Sequence, residues 1–578
     1  MLLVAAINAM ESRSIILVVD AGSSSVRCIS YELLDSRSCR SEEEVSTSSQ
    51  PPIKAIEGMS YSVPMMSVSP NTGYIRIHEV LDAIDVCIDE VLRLLRQTIT
   101  DESYNITALG FSTFVMNLVG VDECGQPLGD KATLSYACNR ADVLDTCSRI
   151  ERTLSPDTKQ SLYQQTGAPL HSAYALPQLQ AFYDTKHSDN AHLVEKVHQW
   201  KSISSICLSR WTGQSHTQIP ISYSEASWTG LLNFRSCTWN DEAMSILEKS
   251  CNLKVLPSLS DFDRGDILAN GISQHSHDGS NNSYWNRWPE LRQSRLFLGI
   301  SDGAAANIGS KCGSLSSRDD SKRRIAVTIG TSAAARLCLP LEIDTNHNHS
   351  DIVVPFGLFC YRVDKSTLLL GGALTDGGSI IEWARSLLNL QSTESFTECL
   401  EKVATMYGNR CSSSSPGVTM APFLSGERST GFRVGANGCI SGITRETSSI
   451  DILYACLESV VLRLCAIIKL LTDVSSGGDG EYILVASGNA LEKNHLWRQM
   501  LADCCGIDIV VDSDANEGTS RGVALLVANK LCNECSLKEP LVVENKSVPD
   551  LKTTKNWNEA SLAQESLIEA VSSTWCGN

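Results

Sequence analysis

The feature that most constrains this chain is a pattern it uses twice. IILVVD (Ile15 to Asp20) is a short β-branched run that breaks into Ala-Gly-Ser-Ser-Ser, and far downstream IAVTIGTS (Ile325 to Ser332) repeats the same strand followed by a small-residue turn. Solenoid repeats recur every 20–50 residues or so, and this interval is much longer. The pattern therefore predicts two related halves, each opening with a strand and a phosphate-sized turn, with the boundary at about 310–324. A chain of 578 residues has room for more than one core. Between the two turns, strand-like runs alternate with helical patterns, which is the signature of an α/β architecture. Val80 to Ile99 carries apolar residues at spacings of three and four and predicts an amphipathic helix, and residues 106–122 read as two further strands. The residues from Lys538 onward are polar and weakly patterned, so a tail is expected at 538–578.

Charge and cysteine usage exclude several classes of protein. Lys plus Arg is 48 against 66 for Asp plus Glu, a net charge of −18. A surface that acidic repels phosphate backbones, so neither nucleic acid nor an anionic membrane is expected as a partner. The 22 cysteines are scattered, with one adjacent pair (Cys504, Cys505) and one isolated C-x-x-C (Cys532, Cys535). A zinc ribbon needs two such pairs and a disulfide scaffold is short, so the pattern reads as reduced and cytoplasmic. The stretch ILYACLESVVLRLCAIIKLL from Ile452 carries Glu458, Arg463 and Lys469, which marks a buried helix and not a membrane span. Polar stretches at 36–52, 270–283, 316–324 and 344–351 read as surface loops; two of them hold His-x-His pairs (His275 and His277, His347 and His349) that lack a third ligand. An apolar helix face serves a core or a second copy equally well, so a homo-oligomer is compatible with the pattern.

Four segments have the residue types for phosphate chemistry. In VVDAGSSSVR, Asp20 ends a strand, Gly22 turns the chain, and Ser23 and Ser24 add hydroxyls and N–H groups. Such donors hold the phosphate tail of ATP while a carboxylate orients Mg²⁺. VTIGTSAAAR places Gly330, Thr331 and Ser332 at a second strand end, where glycine allows close backbone approach. In LGISDGAAANIGS, Asp302 stands where a small-residue helix starts. A carboxylate there either caps the helix or accepts the proton of an attacking hydroxyl. In YILVASGNALEK, Ser487, Gly488 and Asn489 follow a strand at a point a nucleotide base or ribose can approach, in what is otherwise an ordinary βαβ unit.

Taken in order, DAGSSS, GISDGAAANIG, TIGTS, GGALTDGGSIIEW, PFLSGER, ASGNALEKNHLWRQMLAD and EGTSRGVALL resemble the FGGY carbohydrate kinases. QTGAPLHSAY, YSEASWTGLL and PFLSGERSTGF resemble the gluconokinase-like branch in particular, and the likeness runs from about Ile15 to about Ala528. The resemblance implies two actin-like, ribonuclease-H-like ATPase domains with ATP and a sugar in the cleft between them. The expected extents are 14–310 for the first domain, with the sugar site and catalytic carboxylate, and 324–537 for the nucleotide-binding second. It implies that Asp20 is the metal-side carboxylate, that Ser23, Ser24 and Gly330 to Ser332 hold phosphates, and that Asp302 is the base. Gly378, Gly488 and Asn489 would lie against the nucleotide.

Two departures fall in the expected sugar site. Met116 stands where the family usually has His. LSYACNRA resembles a Trp-x-Asp-x-Arg signature with Tyr136 for Trp and Cys138 for Asp, keeping only Arg140. The implied activity is ATP-dependent phosphorylation of a gluconate-like or pentulose substrate, and the alternative is a kinase-derived sensor that binds sugar or nucleotide without turnover.

Overall fold

A computed structural model describes residues 13–34, 53–99, 104–138, 140–184, 191–251, 256–263, 272–275, 283–313, 322–341, 352–390, 392–410, 417–433, 435–475, 481–512, 518–532 and 541–575. The polar stretches at 36–52 and 344–351, with His277, His347, His349 and Cys535, lie outside these residues.

The repeated strand-and-turn belongs to a repeated sheet. The first sheet contains β1 (Arg13–Ala21), β2 (Ser25–Leu33), β3 (Ile53–Pro64), β4 (Tyr104–Thr113) and β5 (Arg295–Ser301), in the order β3-β2-β1-β4-β5. The second contains β6 (Lys322–Ile329), β7 (Ala333–Pro340), β8 (Phe359–Arg362), β9 (Thr367–Leu374), β10 (Glu481–Ser487), β11 (Ile509–Asp512) and β12 (Val543–Ser547). Without the edge strands β8 and β12 its order is β9-β7-β6-β10-β11, the same plan as the first. In both sheets the opening strand forms an antiparallel hairpin with the next strand and runs parallel to the fourth. The two small-residue turns are therefore equivalent hairpin turns.

β1 is buried from Ile15 to Ala21, as a strand covered on both faces must be. One cover is α1 (Ile77–Thr98), which buries Ile77, Val80, Ile84, Ile88, Val91 and Leu95 at helical spacing. α2 (Asp302–Gly309) follows β5, and α3 (Ser449–Ser475) runs under the second sheet with α4 (His495–Cys505) beside it. α3 buries Arg463 in its middle, and no described helix is long and apolar enough to cross a membrane.

α5 (Gly518–Leu531) departs from a simple two-part division. It lies late in the chain, yet Val523 to Ala528 join the first core against β1 and β4. It also crosses α2 at backbone contact: a Cβ on Gly522 would meet the Ala305 carbonyl oxygen at 1.8 Å. The two halves are thus interleaved by the helices that follow their fifth strands.

The expected tail at 538–578 is corrected. β12 extends the second sheet by pairing with β11, and α6 (Thr554–Trp575) buries Trp557, Gln564, Ile568 and Trp575. Its buried stripe is sparse and includes a glutamine, whose amide donates to the carbonyls of Met420 and Ser459. Composition alone therefore read a docked helix as solvated chain.

Candidate active site

Strand register places the carboxylates. Asp20 on β1 lies opposite Ser112 on β4, and Ser112 lies opposite Ile300 on β5. With neighbouring strands about 4.8 Å apart, the ends of β1 and β5 are separated by roughly 10 Å. Asp20 and Asp302 thus stand at one edge of the sheet, outside the carboxyl ends of its parallel strands, where α/β sheets place ligands. Asp20 is buried, with Arg27 Nε 3.9 Å from its carboxylate. The adjoining turn is closed by Gly22 N–H donating to Ser25 O at 2.9 Å, and Ser24 is left exposed.

The equivalent turn in the second half is built against two other glycine segments. Gly378 N–H donates to Gly330 O at 2.7 Å, and Gly377 N–H donates to Thr331 O at 2.9 Å. Gly488, at φ +87°, lies so close that a Cβ would be 2.8 Å from Ile329 O. Gly330, Thr331 and Ser332 are exposed, so their free groups face solvent. The structure brings Gly330 to Ser332, Gly378 and Gly488 together, while Asn489 begins the short helix Asn489–Lys493 and its side chain is outside the description. Asp376 ties this assembly to the next loop by accepting from Ser425 N–H at 2.6 Å.

Asp302 is the first residue of α2, one past the cap position held by Ser301, whose side chain makes no capping bond. Its carboxylate accepts from Gly303 N–H at 2.7 Å and from the Val115 amide. Burial raises its pKa from 3.8 to about 6, against the opposing charge of Arg336 and these two amides. Arg336 comes from β7 in the other half, four residues beyond the phosphate turn. Its Nε is buried without a hydrogen-bond partner, and so is Nε1 of Trp228. A Cβ on Gly303 would lie 3.2 Å from the Trp228 ring and 3.7 Å from Arg336 Nε, so both orphan donors adjoin the start of α2. Buried donors are nearly always paired, and two left open beside one carboxylate point to a missing acceptor.

A cavity of about 70 Å³ opens beside them, lined by Met116, Tyr136, His171, Trp228 and Arg428 among others. At ~10–15 Å³ per water it holds a small ligand. His171 Nδ1 accepts from Ala173 N–H at 3.1 Å, which makes Nε2 the protonated nitrogen of the neutral ring. Burial, reinforced by the charge of Arg428, lowers the His171 pKa to about 4 and keeps the ring neutral. The Arg428 guanidinium sits over the Tyr136 ring, 5.9 Å from its centroid.

Met116 and Tyr136 reach the cavity as expected, but Arg140 does not. Arg140 donates to Asp142 at 2.9 Å, lies over the Tyr74 ring, and is absent from the cavity wall. Cys138 packs beneath with Val143 and Ala181. The segment puts its aromatic residue, not its arginine, in the cavity wall. His171, Trp228, Arg336 and Arg428 were not singled out as site residues, although three of them lie in the motif-like stretches QTGAPLHSAY, YSEASWTGLL and PFLSGERSTGF. Only the fold brings those stretches together.

Each half carries an equivalent hairpin turn rich in amides and hydroxyls, the groups that can hold phosphate oxygens, and Asp302 stands beside a small cavity. That arrangement defines a two-domain phosphotransferase. The N-terminal domain of the FGGY family of carbohydrate kinases matches residues 15–264, and its C-terminal domain matches residues 326–530. The chain belongs to this family. Among curated relatives, a gluconokinase of Bacillus subtilis (strain 168) is 22% identical over 82% of this chain and 82% of its own length. A xylulose kinase of Staphylococcus xylosus is 22% identical over 81% of this chain and 85% of its own. Of solved structures, gluconate kinase from Lactobacillus acidophilus matches with a TM-score of 0.73 at 20% identity, covering 98% of this chain and 99% of that one. Plasmodium falciparum glycerol kinase with ADP gives 0.71 at 17% identity, covering 97% and 98%.

Proposed function

We propose that the protein transfers the terminal phosphoryl group of ATP to a hydroxyl of a small sugar or sugar acid, with Asp302 as general base. The observation that carries this is Asp302 itself, a half-buried carboxylate whose desolvation raises its pKa to about 6, next to the cavity and to two unpaired donors. A base works best with a pKa near the working pH, where it is ionised yet still basic. Asp302 takes the proton as the hydroxyl oxygen attacks. The 22–24 and 330–332 turns hold the phosphate chain with N–H and O–H groups, so no basic surface is needed. Closure of the halves keeps out water, the competing acceptor.

Asp20 fits a divalent cation as one carboxylate in a shell completed by phosphate oxygens and water. No group of three or more His, Cys, Asp or Glu able to hold a metal occurs among the described residues. Mg²⁺ bound there would neutralise charge on the phosphate oxygens. The neutral His171 Nε2–H and Trp228 Nε1–H are donors for sugar hydroxyls. Arg428 puts a positive charge in the cavity wall, where it could pair a substrate carboxylate, so gluconate and related aldonates are the first substrates to test and pentuloses the second.

A coupled ADP-release assay with Mg-ATP across aldonates, pentuloses and polyols tests the proposal. Turnover on at least one class, abolished in Asp302→Ala, is expected. Turnover on none of them above that variant overturns it, and tight sugar binding without ADP release would leave a sensor in its place.

A further inference from the structure

Arg336 and Asp302 face each other from different halves of the molecule. Arg336 lies on β7, in register with Gly371 on one side and Ala326 on the other, so its backbone is fixed in the middle of the second sheet. Asp302 opens α2 at the edge of the first. Among the described residues, the one charged side chain that acts appreciably on Asp302 is Arg336, and the one acting on Arg336 is Asp302. The two do not hydrogen-bond: Arg336 Nε has no partner at all.

The other elements around the carboxylate contribute no opposing charge. α2 (DGAAANIG) has no further titratable side chain, and the 113–116 segment supplies only the Val115 amide. Glu225, on the neighbouring Tyr223–Ser227 turn, is directed away, its oxygens accepting from Thr113, Ser202 and Ser204 at 2.8–2.9 Å. On α5, Arg521 is committed to the Gly309 carbonyl at the far end of α2.

We propose that Arg336 is a positioning residue for the reaction: carried across the cleft on β7, it keeps the Asp302 carboxylate ionised, so the base is competent only while the two halves are together. The inference rests on reading Asp302 as the base. Its physical content is simple. Burial favours the neutral acid, which cannot accept a proton, and an opposite charge within a few ångströms restores the ionised form. Because that charge rides on the strand following the phosphate turn, an open cleft leaves Asp302 without it. Base strength is thereby tied to seating of the nucleotide half, which limits proton abstraction from a sugar bound alone.

The test is a set of pH–rate profiles for wild type, Arg336→Gln, Arg336→Lys and Asp302→Asn, with nucleotide-analogue binding and melting midpoints as folding checks. Removing an opposite charge is expected to raise the acid limb of kcat by about 1–3 pH units in Arg336→Gln. Activity would fall sharply at pH 7 and recover by pH 9. Arg336→Lys, which keeps the charge, should restore most of the wild-type limb. An Arg336→Gln profile lowered equally at every pH, or left unchanged, overturns the proposal. Asp302→Asn separates the two claims: if it retains turnover, the base assignment fails first. Should Arg336→Gln not fold, a wild-type acid limb in Arg336→Lys together with a raised one in Arg336→Met supports the proposal, and equal limbs overturn it.

Discussion

Gly378 and Gly330 touch backbone to backbone. The Gly378 N–H donates to the Gly330 carbonyl oxygen at 2.7 Å, and a Cβ on Gly378 would lie 2.6 Å from that same oxygen. The clash is with backbone, so no flexible side chain can yield. Overpacking of this kind costs about 1–3 kcal/mol. Gly378→Ala is therefore expected to displace the 330–332 turn and raise the KM for ATP at least tenfold, while sugar affinity measured by calorimetry is unchanged. An unaltered KM for ATP would remove this turn from the nucleotide site.

Asp302→Asn is expected to lower kcat by roughly 10²–10⁴, the usual contribution of a general base. It is also expected to stabilise the protein at neutral pH. The folded pKa of about 6 lies above the ordinary aspartate value of 3.8, so the folded state binds the proton more tightly than the unfolded chain. The resulting stability is fully present below pH 3.8 and lost as pH rises through 6. Above that the ionised carboxylate costs on the order of 3 kcal/mol. Asparagine removes this cost, so the melting midpoint should rise at pH 8 and not at pH 4. A midpoint that moves equally at both pH values would mean the carboxylate is not held in a desolvated site.

His171→Ala should raise the KM for sugar with little loss of kcat, because a neutral N–H donor binds ground and transition states alike. A substrate hydroxyl left unpaired costs about 1–3 kcal/mol, or roughly tenfold or more in KM. With its pKa lowered to about 4, wild-type His171 does not titrate across the working range. Its contribution to sugar KM should thus be flat from pH 6 to 8. A sigmoid in that window centred on the ordinary histidine pKa and absent in His171→Ala would contradict the buried neutral ring.

These residues show where sequence reasoning reaches and where it stops. The duplicated sheets were legible because a strand running into glycine and hydroxyl residues is a local signal, and it occurs twice. Asp302 was legible for the same reason. Arg336 and Trp228 were not, since their role arises from an unpaired nitrogen facing another element, and pairing is a property of the fold. Arg140 shows the converse: a retained motif residue turned to Asp142 and Tyr74 because its neighbour Tyr136 takes the cavity wall. α6 was missed because its docking depends on contacts that its own sequence does not announce.

One of those contacts links α6 to a network behind the cavity wall. Arg463, in the middle of α3, donates to Glu427 at 3.0 Å and to Glu565 of α6 at 2.7 Å. Glu427 immediately precedes Arg428 in the cavity wall, and it also accepts from Arg433 at 2.7 Å. Glu427 and Arg463 are 3% and 1% exposed, so their charges have little water to fall back on. Breaking a buried pair by removing one partner typically costs 3–5 kcal/mol or so, whereas a rim pair contributes about 0–1. Arg463→Met should therefore lower the melting midpoint clearly and raise the KM for sugar by freeing the Arg428 loop, with the KM for ATP preserved. Glu565→Gln, at the half-exposed rim of the same network, should change neither by much. If both variants raise the KM for sugar, the C-terminal helix braces the substrate loop through Glu565. If only Arg463→Met loosens sugar binding, the buried ion pair is what holds Arg428 against the cavity.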